Sequence, residues 1–74
     1  MNATLRPTGA LKAYISGKDE IPIVAGRTVR ETLTGLKIPP EVIALVVVNE
    51  ELQSKDYLIQ DGDLVRVLAV IGGG

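Results

Sequence analysis

The run Val42-Ile43-Ala44-Leu45-Val46-Val47-Val48 constrains the fold of this chain more than any other stretch. It is far shorter than the roughly 20 residues a membrane helix needs. It is rich in β-branched residues, whose stiff side chains suit a pleated strand. Ile43, Leu45 and Val47 lie on one side of that strand, Ala44, Val46 and Val48 on the other, so both sides are apolar. A two-layer domain with a single helix covers only one of them. The side carrying Leu45 is expected in the core, together with Val29, Leu33, Val65 and Val67, and Val46 is expected outside.

The remaining composition narrows the chemistry. The chain has 74 residues, enough for one domain, and at 46% hydrophobic it can build a core. That core is aliphatic, because there is no Phe or Trp and the only aromatics are Tyr14 and Tyr57. Without Cys or His there is no Ser-His-Asp triad, no nucleophilic Cys, no His general base and no ordinary zinc site. The Asp61-Gly62-Asp63 stretch offers paired carboxylates but lacks further ligands, and turn formation explains it better. No catalytic residue, metal or cofactor is therefore expected. A net charge of -1 carries no basic stripe for nucleic acid. No apolar run is long enough for a membrane span, and MNATLRPTGA lacks a signal-type apolar segment, so the expected location is cytoplasmic.

Along the chain, residues 1–10 carry few large apolar groups and read as a flexible extension. Leu11, Ala13 and Ile15 alternate as in a half-buried strand. The turn-forming Gly17-Lys18-Asp19-Glu20 then leads to a second strand, Ile21-Pro22-Ile23-Val24, so the pair reads as a hairpin. Pro22 cannot donate to a ladder, which favours a sheet edge. Thr28 with Glu31 three residues on forms a capping box. Val29, Leu33 and Leu36 then recur on one helical stripe, with Gly35 as the stop signal and Pro39 barring continuation. After the Val42–Val48 strand, Asn49-Glu50 makes a turn and Leu52 lies in a short strand. Tyr57, Leu58 and Ile59 pack beneath a loop. The last strand runs from Leu64 through Leu68, with Val65 and Val67 inward and Leu64, Arg66 and Leu68 outward. The order implies an α+β domain over residues 11–71; whether the first and last strands pair in parallel stays open.

The chain then runs through Val70 and Ile71 into Gly72-Gly73-Gly74. Three glycines add nothing to a core and cost backbone entropy to order. They make a thin, pliable thread, with backbone free to approach backbone closely. The order of elements, the capped helix after a hairpin, "VVVNEEL", "QDGDLVRVL" and the terminal "GGG" together resemble the ubiquitin-like sulfur carriers ThiS and MoaD over residues 11–74. The tail, with Leu68-Ala69-Val70-Ile71 in place of a Pro-Pro-Val run, is closer to the ThiS style. Asn49-Glu50 stands where the family often has Asn-Gly.

That resemblance implies a ubiquitin-like β-grasp, with a mixed sheet of four to five strands and one main helix on one face. It implies that the Gly74 carboxylate is adenylated by an enzyme related to ubiquitin-activating enzymes, then converted to a thiocarboxylate. A sulfur-accepting synthase draws the sulfur off in thiamine, molybdopterin or tRNA-thiolation biosynthesis. Gly72 and Gly73 are then the thread through the partner's channel, residues 72–74 form a flexible tail, and the protein is a co-substrate, monomeric when free. Partners are expected to dock on Val46, Leu64, Leu68, Val70 and Ile71, unless the loop about Tyr57 covers part of that face. Two other readings stand beside it: a modifier joined through Gly74 to target lysines, and a regulatory module with an inert tail.

Overall fold

The computed structural model describes residues 1–69. Its five strands are β1 (Asn2–Pro7), β2 (Ile21–Val24), β3 (Ile43–Val48), β4 (Glu51–Gln53) and β5 (Leu64–Ala69), and its α-helix is α1 (Val29–Gly35). They form one sheet in the order β2-β1-β5-β3-β4. β1 and β5 pair in parallel, while β1 with β2, β3 with β5 and β3 with β4 are antiparallel. Val29 and Leu33 of α1 meet Ala3, Leu5, Ile23, Val46, Val48, Val65 and Val67 of the sheet, with Ile38 and Ile59 closing the same core. The α+β layout expected from the sequence is the one observed.

The capping box forms as the sequence requires. Glu31 N–H donates to Thr28 Oγ1 at 3.1 Å, and Thr28 N–H donates to Glu31 Oε1 at 2.8 Å. Donation from the Thr28 N–H foremost, and from its hydroxyl at 3.2 Å, holds the Glu31 carboxyl below its ordinary pKa. At the other end the helix ends at Gly35, as expected, and Lys37 rather than a glycine makes the closure beyond it. Lys37 adopts a left-handed backbone at φ 63°. Its N–H donates to Thr34 O at 3.0 Å, and the Ile38 N–H reaches back to Leu33 O at 2.9 Å. This is a Schellman closure, completed by contact between the fully buried Ile38 and Leu33.

Three expectations are corrected. Residues 1–10 are no flexible extension: β1 lies inside the sheet between β2 and β5. Ala3, Leu5 and Pro7 alternate at period two and are buried, but Ala3 and Pro7 are small or atypical for a strand and mask the pattern. Residues Leu11–Ser16 form no strand. A 3-10 helix spans Gly9–Ile15, with Leu11 and Ile15 buried and Ala13 exposed. Leu11 and Ile15, four apart, satisfy a helical spacing as well as an alternating one. The hairpin partner of β2 is β1.

The third correction concerns β3. Ile43 pairs with Ala69 but Leu45 pairs with Leu68, so the register slips by one residue at Ala44. This bulge reverses the alternation from there onward. Ile43, Val46 and Val48 point into the core, while Leu45 stands 46% exposed on the opposite face.

Candidate functional site

The outer face of the sheet, opposite α1, is where the sequence places a docking surface. On β5 the inward Val65 and Val67 are fully buried, which turns Leu64, Arg66 and Leu68 outward. Leu64 and Leu68 are half-buried and Arg66 is exposed. The bulge brings Leu45 beside Leu68 and Val47 beside Arg66, and Val47 in turn pairs with Leu52 on β4. Leu52 is 66% exposed. On the other side of β5, Arg6 of β1 is the register partner of Arg66. The result is an apolar field of Leu45, Val47, Leu52, Leu64 and Leu68, bounded by arginines.

Val46 does not belong to this face. It is 2% exposed in the core, and the same bulge that releases Leu45 places it there. Leu64 and Leu68 lie where expected. Val70, Ile71 and the Gly72, Gly73 and Gly74 thread lie outside the described residues. Leu45, Leu52 and Arg6 were missed by sequence reasoning. Leu52 alone carried a signal, as an apolar residue in a short strand between charged and polar neighbours.

The segment about Tyr57 leaves this face open. It is drawn toward the start of α1, with Val29 N–H donating to Tyr57 O at 3.0 Å, Arg30 N–H to Lys55 O at 2.8 Å and Ile59 N–H to Arg27 O at 2.8 Å. Its far end is tied by Asp63, which is 6% exposed. Asp63 accepts from Tyr57 Oη at 2.7 Å, Asn49 Nδ2 at 2.7 Å and Gln60 N at 2.8 Å. Asn49 Oδ1 accepts from Leu64 N at 2.9 Å, which links the knot to the start of β5. Burial pushes the Asp63 carboxyl upward, but the Gln60, Tyr57 and Asn49 donors outweigh it and hold the carboxyl below its ordinary range. The pair Asp61 and Asp63 is thus turn and clasp. Among the described residues no group of three Asp or Glu side chains converges as a metal site.

Next to the C-terminal half of β5, a cleft of about 560 Å³ is lined by Arg6, Thr8, Lys12, Asp19 and Glu20, among others. Its charges are matched within it, Arg6 to Glu20 at 2.7 Å and Lys12 to Asp19 at 3.0 Å. Thr8 fastens its floor to β5 through bonds from its N–H and hydroxyl to Val67 O, both at 3.2 Å. The cleft therefore braces β5 close to its last described residues and offers no unmatched charge of its own.

Comparison with known proteins gives the following. The model of the ThiS family matches residues 5–74, beginning inside β1. Among curated proteins, none matches. A putative molybdopterin converting factor subunit 1 from Pyrococcus furiosus superposes with a TM-score of 0.72 at 19% identity, over 96% of this chain and 99% of its own. SAMP1 from Haloferax volcanii gives 0.71 at 19% identity over 100% of both chains. A chain of the complex of subunits 1 and 2 of molybdopterin-converting factor from Helicobacter pylori gives 0.66 at 25% identity, again over 100% of both. The fold is the ubiquitin-like β-grasp.

Proposed function

The chain belongs to the ThiS family of ubiquitin-like sulfur carriers, and from that premise we propose that its Gly74 carboxylate is the group that is activated and carries sulfur. The observation that supports this most is that the family match runs unbroken from β1 to Gly74, the last of the three glycines. A carboxylate is a poor acyl donor until its oxygen becomes a good leaving group. An adenylyltransferase related to ubiquitin-activating enzymes supplies that. The carboxylate oxygen attacks the α-phosphate of ATP, pyrophosphate leaves, and an acyl-adenylate results. A persulfide sulfur then displaces AMP to give an acyl disulfide; a second thiol attacks the sulfur bound to the donor, forming a disulfide there and leaving a thiocarboxylate for a synthase to draw on.

The folded domain supports each stage without performing any. β5 is clamped between β1 and β3, so the chain beyond it leaves from a fixed point. Gly72 and Gly73 add no side chain to the thread, which lets a channel close around backbone. Leu45 and Leu68 lie beside that exit point, Leu64 extends the same face along β5, and together they offer the partner an apolar grip. The protein acts as co-substrate, in the thiamine, molybdopterin or tRNA-thiolation branch of sulfur transfer.

A modifier function shares the adenylate and differs only in the acceptor, a target lysine in place of sulfur. Likeness to the small archaeal modifier protein 1 of Methanosarcina acetivorans, with a TM-score of 0.70 at 16% identity, keeps that reading beside the first. ATP–pyrophosphate exchange with the host's adenylyltransferase is the common test. Removing Gly74 shifts the carboxylate by up to about 3.3–3.6 Å, and about 1 Å of misplacement costs on the order of a hundredfold in rate. Exchange should therefore collapse while circular dichroism stays unchanged. Undiminished exchange by the shortened chain sinks both tail-based readings. Mass spectrometry of protein from the host then separates them: sulfur replacing oxygen at Gly74 marks the carrier, Gly-Gly remnants on lysines the modifier.

A further inference from the structure

Arg66 stands on the border of the apolar face toward β1, with apolar neighbours on its three other sides. Leu64 and Leu68 flank it along β5, and Val47 lies across from it in register on β3. On the other side its register partner is Arg6, so two guanidinium side chains sit abreast on adjacent parallel strands. Like charges so placed repel unless one is neutralised. Arg6 is neutralised: its Nη2 and Nε both donate to Glu20 Oε1, at 2.7 and 3.2 Å. Arg66 makes no side-chain hydrogen bond or ion pair among the described residues.

We infer that Arg66 selects the partner: it requires an Asp or Glu, set in an apolar frame, on the docking surface of the adenylyltransferase. This rests on the carrier reading above and adds what the partner must present. Docking on the leucines removes water from around the guanidinium. An unpaired charge in such a place costs an interface heavily, whereas a carboxylate accepts two parallel charge-assisted bonds from the planar fork. A wholly apolar or basic partner surface is therefore rejected, and specificity arises from the penalty as much as from the bond. Because Glu20 already occupies Arg6, the partner's carboxylate is directed to Arg66. The ordinary alternative, a solvated surface arginine, predicts no dependence on its charge.

The test is calorimetric titration of the intact chain into the purified ubiquitin-activating-type adenylyltransferase of the same organism, at low and high salt, with Arg66→Glu, Arg66→Lys and Arg66→Leu alongside. Arg66→Glu should raise Kd by at least about 30-fold. Arg66→Lys should recover part of the loss, since lysine keeps the charge but not the fork. Wild-type affinity should fall with salt more steeply than that of Arg66→Leu. Thermal melts confirm that each variant is folded, as expected for an exposed position. A Kd for Arg66→Glu within about twofold of wild type, tighter binding by Arg66→Leu, or no binding by the wild-type chain each overturns the inference. Pyrophosphate exchange separates it from the carrier reading: Arg66-dependent binding without any exchange sinks the carrier chemistry and leaves the docking requirement standing.

Discussion

Tyr57 Oη donates to Asp63 Oδ2 across 2.7 Å, joining the loop after β4 to the residue that precedes β5. The bond raises the Tyr57 pKa above its ordinary 10.0, with desolvation and the negative charge of Asp63 acting in the same direction. Asp63, despite burial, is held below its ordinary 3.8 by Gln60, Tyr57 and Asn49. A carboxyl depressed in the fold contributes stability above its unfolded-state pKa and loses it as pH falls through the folded value. A phenol raised in the fold contributes below its unfolded-state pKa and loses it as pH rises through the folded value. Denaturant midpoints should therefore be flat near neutrality and drop below about pH 4 and above about pH 10. Asp63→Asn should cost about 1–3 kcal/mol at pH 7, because the Gln60, Tyr57 and Asn49 donors lose the buried carboxylate that accepts from them, and should blunt the acid drop. An unchanged acid limb in that variant would show that other carboxyls govern it.

The bulge at Ala44 makes neighbouring residues of β3 differ sharply in worth. Val46→Ala should cost about 2 kcal/mol, from two buried carbons and the cavity they leave. Leu45→Ala, on the open face, should stay within about 0.5 kcal/mol of wild type. Urea unfolding of both variants decides it, and equal losses would mean that the register does not slip.

β1 is a structural strand, so its side chains should behave as core. Leu5→Ala, at 1% exposure, should cost about 2–5 kcal/mol by chemical denaturation. A chain lacking residues 1–7 should show no cooperative unfolding, because β5 then loses its parallel neighbour. A cooperative melt from the shortened chain would contradict that.

Lys37 and Glu50 both hold left-handed backbones, at φ 63° and 70°. Such conformations strain residues that carry a Cβ by about 1–2 kcal/mol, offset by about 0.5–1 kcal/mol of entropy when glycine replaces them. Lys37→Gly and Glu50→Gly should each raise stability by up to about 1 kcal/mol, and the two gains should add because the sites are independent. Melting temperatures of the two variants and the double variant provide the measurement.

Legibility in the sequence followed how local each determinant is. The capping box at Thr28 and Glu31, the parity of β5 and the turn at Asn49-Glu50 each rest on residues a few positions apart, and all three were readable. The role of β1 was not, because Ala3 is set by pairing with Ile23 on β2 and Pro7 by pairing with Val67 on β5, some twenty and sixty residues on. The face of β3 was read inverted, because a bulge arises from pairing with Leu68 and Ala69 and leaves no mark on the strand itself. The docking face shared that fate in part: Leu64, Arg66 and Leu68 followed from alternation, while Leu45 replaced Val46.

The parallel pairing of β1 with β5 also sets a timetable. Of the five strands, the first made has its inner neighbour in the last, so a chain emerging from the ribosome holds β1 with one whole edge vacant until β5 has been made. Pairings of such long sequence separation are slow to form, because the intervening loop must close before any bond rewards it. Until then Leu5 and its neighbours are open to wrong partners, and a vacant strand edge is a site of aggregation. The order of manufacture thus makes completion of β5 the step that turns a vulnerable nascent chain into a finished domain.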